Sequence, residues 1–115
     1  MAIAEWEKKT PFRFVERTTE TDYVRIRRVT SGCSATVGRA RGEQLVNLED
    51  GCSTGNTIHE LGHTLGLYHT QSRRDRYAFL TVNYANIDKR DWDQYDGQLR
   101  AFEVGPYDYA SIMHY

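Results

Sequence analysis

Residues 59–69 read HELGHTLGLYH, and these eleven residues decide what kind of chain this is. His59 and His63 are four positions apart, so on a helix they differ by only about 40° around the axis and both imidazoles point the same way. Glu60 lies beside them, near enough to act on a water held by a metal. Ile58, Leu61 and Leu65 fall on the side roughly opposite the two histidines. That predicts one helix face in the core and the other on a cleft. Gly66 comes three residues after His63, where a residue in the left-handed conformation ends a helix. The turn redirects the chain so that His69 can supply a third ligand. A continuing helix would instead carry His69 about 9 Å further along the axis and onto another face.

Three neutral imidazoles in open tetrahedral coordination suit Zn²⁺, with one position left for water. Iron, cobalt or copper would also fit chemically, but zinc is the best match to this ligand set, one ion per chain. The metal lowers the pKa of its water towards ~7, and Glu60 can take the proton. The hydroxide attacks a polarised carbonyl, and Glu60 returns the proton to the leaving amine. The predicted reaction is hydrolysis of peptide bonds. A competing reading is a zinc-binding scaffold with weak or no peptidase activity, because zinc can supply much of the folding energy of a small domain.

Outward from this stretch, DGCSTGN (50–56) reads as a loop in which Ser53, Thr54 or Asn56 can cap the helix. The helix then runs through 57–65. Strands are predicted at 44–49 (QLVNLE), 34–40 (SATVGRA) and 23–29 (YVRIRRV), with a further strand at 12–17 (FRFVER). In the 23–29 strand Tyr23, Arg25 and Arg27 alternate with Val24 and Ile26, and its arginines are expected to form a solvated face. Residues 2–9 read as the end of a helix closed by Thr10-Pro11. Beyond residue 69, the run 79–84 is expected to be extended. A short helix is expected around 91–101, where Trp92, Tyr95, Leu99 and Phe102 recur at helical spacing. Pro106 opens a final irregular stretch. The order of elements predicts an α+β fold.

The whole chain has 115 residues, which suits one domain. Its 15 Lys+Arg against 16 Asp+Glu leave a net charge of -1, which argues against a nucleic-acid binder or an anionic-membrane binder. No apolar run approaches the ~20 residues that span a bilayer, and no secretory leader is legible. The two cysteines, Cys33 and Cys52, allow one disulfide or two free thiols.

H-E-x-x-H-x-x-G-x-x-H is the signature of the metzincin zinc peptidases, which also carry a methionine turn beneath the metal. Residues 111–115 read SIMHY, with Met113 where that methionine belongs. Together with GCSATVGR (32–39), Cys52 just before the helix and RRDR (73–76), this resembles an astacin-family metallopeptidase from about Trp6 to Tyr115.

The resemblance implies a twisted mixed β-sheet packed on a zinc-binding active-site helix. His59, His63 and His69 would bind zinc, and Glu60 would be the general base. Tyr115 would be a further ligand that swings off the metal to stabilise the oxyanion, and Met113 would floor the site. Cys33 and Cys52 would form a family disulfide. The 34–40 strand would align extended substrate by backbone pairing. A peptide or protein substrate, a monomer and a secreted protein are implied, with leader and any propeptide outside this chain. So are the family's first strand and C-terminal subdomain, which makes the chain a single zinc-binding portion of the peptidase domain. Two positions depart from the family: Thr70 stands where a glutamate commonly follows the third histidine, and Pro11 where many members have a cysteine.

Overall fold

Strand β3, Glu43–Leu48, is the centre of a three-stranded mixed sheet in order β1-β3-β2. Strand β1, Tyr23–Arg28, lies parallel to it, with Tyr23 opposite Glu43 and Arg28 opposite Leu48. Strand β2, Cys33–Ala35, lies antiparallel on the other side, with Cys33 opposite Leu48. The computed structural model describes residues 1–98 and 101–115, and these form two compact units, Met1–Leu67 and Tyr68–Tyr115. The first holds the sheet and both α-helices, α1 at Ala2–Lys9 and α2 at Thr54–Thr64. The architecture is α+β, as predicted.

Val46 and Leu61, both fully buried, are the apolar centre of the first unit. Helix α2 packs on β2 and β3, and α1 packs on α2. The indole Nε1 of Trp6 donates to the carbonyl of Ile58 at 3.0 Å, tying α1 to the residue just before His59. Helix α1 ends where Thr10 turns extended and its N–H and hydroxyl both bond back to the carbonyl of Trp6. Pro11, which has no N–H to continue the ladder, follows.

The predicted strand at 34–40 is shorter than its pattern suggests. Thr36 still donates to Leu45, but Gly38 takes φ +70 and turns the backbone off the ladder. The buried side chain of Gln44 replaces the lost pairing, accepting from Ala40 N–H and donating to the carbonyl of Gly38. The freed N–H of Gly38 donates to the carbonyl of His63 at 2.8 Å.

The predicted strand at 12–17 does not form. Its apolar residues find no partner sheet, and Phe12 and Val15 are exposed. The backbone is held by α1 instead: Phe14 N–H donates to the Glu7 carboxylate, and the Arg13 guanidinium reaches the carbonyls of Glu7, Thr10 and Phe12. In β1 the alternation is present, but Val24 and Ile26 are exposed along with the arginines. The arginine face is solvated as expected; Arg25 pairs with Glu43, and Arg28 with Asp50.

The second unit is built from short 3₁₀ turns at Thr70–Ser72, Arg76–Ala78, Tyr84–Asn86 and Lys89–Tyr95. The run 79–84 forms no strand, and the short helix expected around 91–101 is a 3₁₀ segment at Lys89–Tyr95 within the described residues. Leu99, counted on that helix face, lies outside the described residues. Arg73 braces this unit through an ion pair with Asp75 at 2.8 Å and hydrogen bonds to the carbonyls of Val104 and Gly105. Among the described residues no helix is long and apolar enough to cross a membrane.

Candidate metal centre

Helix α2 is bounded at both ends by its own sequence. Ser53 is the N-cap: its hydroxyl accepts from Asn56 N–H, while the Asn56 side chain accepts from Ser53 N–H. Two of the orphan donors of the first turn are thereby satisfied. At the other end Gly66 adopts φ +101, Gly66 N–H donates to the carbonyl of His63, and Leu67 N–H to that of Gly62. This pair of bonds is the Schellman motif, which needs a left-handed residue at its centre. The predicted helix stop stands.

The same turn brings the carbonyl of Leu67 to 2.8 Å from Nδ1 of His63. A carbonyl can only accept, so Nδ1 carries the proton and Nε2 the lone pair, the arrangement that orients a ligating imidazole. His59 and His63 stack edge to face with ring centroids 4.6 Å apart. One ring nitrogen from each of His59, His63 and His69, all within one eleven-residue stretch, lies within 4.8 Å of the others. Three imidazole nitrogen donors fit a tetrahedral divalent metal such as zinc.

Glu60 is 6% exposed, and its Oε2 is buried with no hydrogen-bond partner. Burial holds its carboxyl above the usual range, against the opposing pull of His59. Burial likewise lowers the pKa of His63, which favours the neutral, ligating form. An orphaned carboxylate oxygen on the residue next to His59 fits a metal centre that works on water.

His59, Glu60, Leu61, Gly62 and His63 are all buried or nearly so, and Ile58 and Leu65 are only half-buried.

In the second unit Met113 is buried and its carbonyl accepts from Thr70 N–H at 2.8 Å. Tyr115 lays its ring against His69, with centroids 4.2 Å apart, while remaining 62% exposed. His114 engages the Tyr107 hydroxyl at 2.9 Å. Cys33 and Cys52 are disulfide-bonded. Arg76 forms no ion pair among the described residues, lies buried, and donates to the carbonyl of Gln71 and the hydroxyls of Tyr77 and Tyr84.

Two groups at the site carried no signal in the sequence. The carbonyl of Leu67 is a backbone atom that any residue would supply. Gln71 is a buried polar residue whose partners lie far along the chain.

An α+β chain carrying a three-histidine HExxHxxGxxH centre is the class that the fold and the site define. A family model described as Astacin, a peptidase family, matches residues 1–115, and the chain belongs to the astacin family. It is 43% identical over 119 residues to the zinc metalloproteinase nas-8 of Steinernema carpocapsae, covering 99% of this chain and 28% of that protein. It is 44% identical over 121 residues to the zinc metalloproteinase nas-14 of Caenorhabditis elegans, covering 99% of this chain and 24% of that protein. Among solved structures it resembles high choriolytic enzyme 1, a hatching enzyme zinc-protease of the medaka Oryzias latipes. That match has a TM-score of 0.92 and 37% identity, over 99% of this chain and 57% of the other. The chain therefore spans less than a third of these two curated relatives and somewhat over half of the solved one.

Proposed function

We propose that the chain is the zinc-binding part of the catalytic domain of a secreted endopeptidase that hydrolyses peptide bonds in peptide or protein substrates. The observation that carries this reading is the convergence of the His59, His63 and His69 nitrogens, together with the buried, unpartnered Oε2 of Glu60, the residue next to His59. His59, His63 and His69 would hold one zinc ion, with Tyr115 as a further ligand. When bound, zinc supplies polarisation of the scissile carbonyl and acidification of a water. Glu60 accepts the proton of the attacking water at its carboxylate and delivers it to the leaving amine. The Nδ1–H of His63, held on the carbonyl of Leu67, keeps that imidazole in its ligating tautomer. The phenol of Tyr115 donates to the oxyanion as it develops. Met113 floors the centre. The Cys33–Cys52 disulfide supports an oxidising, extracellular setting.

The test is metal content together with hydrolysis of an internally quenched peptide, with and without a chelator. The expected result is one zinc per chain and hydrolysis that stops on chelation and returns with zinc. Protein purified without chelator that holds no stoichiometric transition metal, or a peptidase activity that chelation leaves intact, overturns the reading.

A further inference from the structure

Gln71 is 1% exposed, one of the most deeply buried side chains described, yet it is polar and lies two residues after His69. A buried amide needs partners for both of its ends. Its Oε1 accepts from the backbone N–H of Tyr115 at 3.0 Å, and its Nε2 donates to the carbonyl of Gln94 at 3.4 Å. The amide orientation is forced, because a backbone N–H can only donate and a carbonyl can only accept. The backbone of Gln71 is itself held, its carbonyl accepting from the Arg76 guanidinium at 3.2 Å. One residue earlier, Thr70 N–H donates to the carbonyl of Met113. The Thr70 and Gln71 bonds thus join the segment after the third histidine to the 111–115 turn. The one nearest the tyrosine runs through a side chain.

We propose that Gln71 is a positioning residue that sets the place of Tyr115 against His69. With the backbone N–H of Tyr115 held, only φ and two side-chain torsions place its ring, and the ring of His69, its centroid 4.2 Å away, limits those. Glutamine is the residue that performs the task. Glutamate keeps the acceptor but presents no donor to Gln94, and asparagine is one methylene too short to span both partners. The inference rests on the reading above that the phenol of Tyr115 serves the reaction.

The test compares the parent with Gln71→Met, Tyr115→Phe and the double variant. Gln71→Met keeps the side chain's length and removes both hydrogen bonds. It should retain one zinc per chain and a KM within about twofold of the parent, while kcat falls about tenfold or more. Adding Gln71→Met to Tyr115→Phe should lower kcat no further, because the interaction it positions is already gone. A merely structural role would lower both backgrounds alike. Hydrogen exchange at the Tyr115 amide, read in zinc-free protein, should be protected in the parent and at least tenfold faster in Gln71→Met, with the α2 amides unchanged.

Parental kcat in Gln71→Met, losses that multiply in the double variant, or a Tyr115 amide that exchanges in the parent like an unstructured peptide would overturn the proposal. The last of these needs no variant to fold. Parental kcat in Tyr115→Phe would instead remove the phenol from the reaction. The exchange data alone would then decide whether Gln71 anchors the turn.

Discussion

Glu60 sits next to His59 in sequence, and the sequence suggests its role by that adjacency alone. The structure adds that the carboxylate is buried, that one oxygen has no hydrogen-bond partner, and that burial raises its affinity for a proton. Glu60→Gln replaces that oxygen with an amide that cannot accept the proton and leaves the three imidazoles in place. The expected outcome is an unchanged zinc content, measured by metal analysis, with kcat lowered by about 10²–10⁴-fold. Hydrolysis at the parental rate would show that another group is the base. At this scale the sequence was readable because His59, Glu60 and His63 are neighbours on one helix. Gln71 was not, because its partner amide in Tyr115 is 44 residues away.

Helix α2 is the element on which the site depends, and its two ends are written in its sequence. Among the three cap residues the loop offered, the structure selects Ser53, with Asn56 completing the reciprocal pair. Ser53→Ala should lower stability by about 1 kcal/mol in denaturant unfolding. Gly66 matters more for function. A methyl group there would meet only the Cα of Gly38 at 3.9 Å, an ordinary contact, so space does not forbid it. The φ of +101 does, since an L-residue in left-handed conformations costs roughly 1–2 kcal/mol. Gly66→Ala should therefore lower the thermal midpoint by several degrees and weaken zinc retention against a competing chelator, since relaxing the turn moves His69 away from the pair on the helix. Zinc retention equal to the parent would show that the turn conformation does not set the third ligand. The strands were less legible. The pattern over 34–40 is a good strand pattern, but a single positive-φ glycine and the Gln44 side chain end β2 at Ala35. The pattern over 12–17 has no strand beside it to pair with.

At the scale of the molecule, few apolar side chains among the described residues are fully buried, so a covalent cross-link carries weight beyond its number. The disulfide joins the first residue of β2 to the loop that enters α2, 19 positions on. Closing a loop of that length is worth about 3 kcal/mol on the chain-entropy account. A Cys33→Ala, Cys52→Ala protein should show that loss in its denaturant midpoint while still binding zinc, because no metal donor is removed. Loss of zinc on removing the disulfide would instead show that it holds the centre's geometry. What the sequence alone determined is the local part. The His59–His63 register, the helix stop at Gly66, the capping loop and the α+β order all follow from spacings of a few residues, where helix geometry and backbone sterics leave little choice. Family membership also lay in those motifs. Only the tertiary structure decided which apolar patterns become strands, the burial of Arg76 without an acid, and the clasp of Gln71 on Tyr115. Each depends on hydrogen bonds and burial between residues far apart in the chain, and those partners exist only once the fold has brought them together.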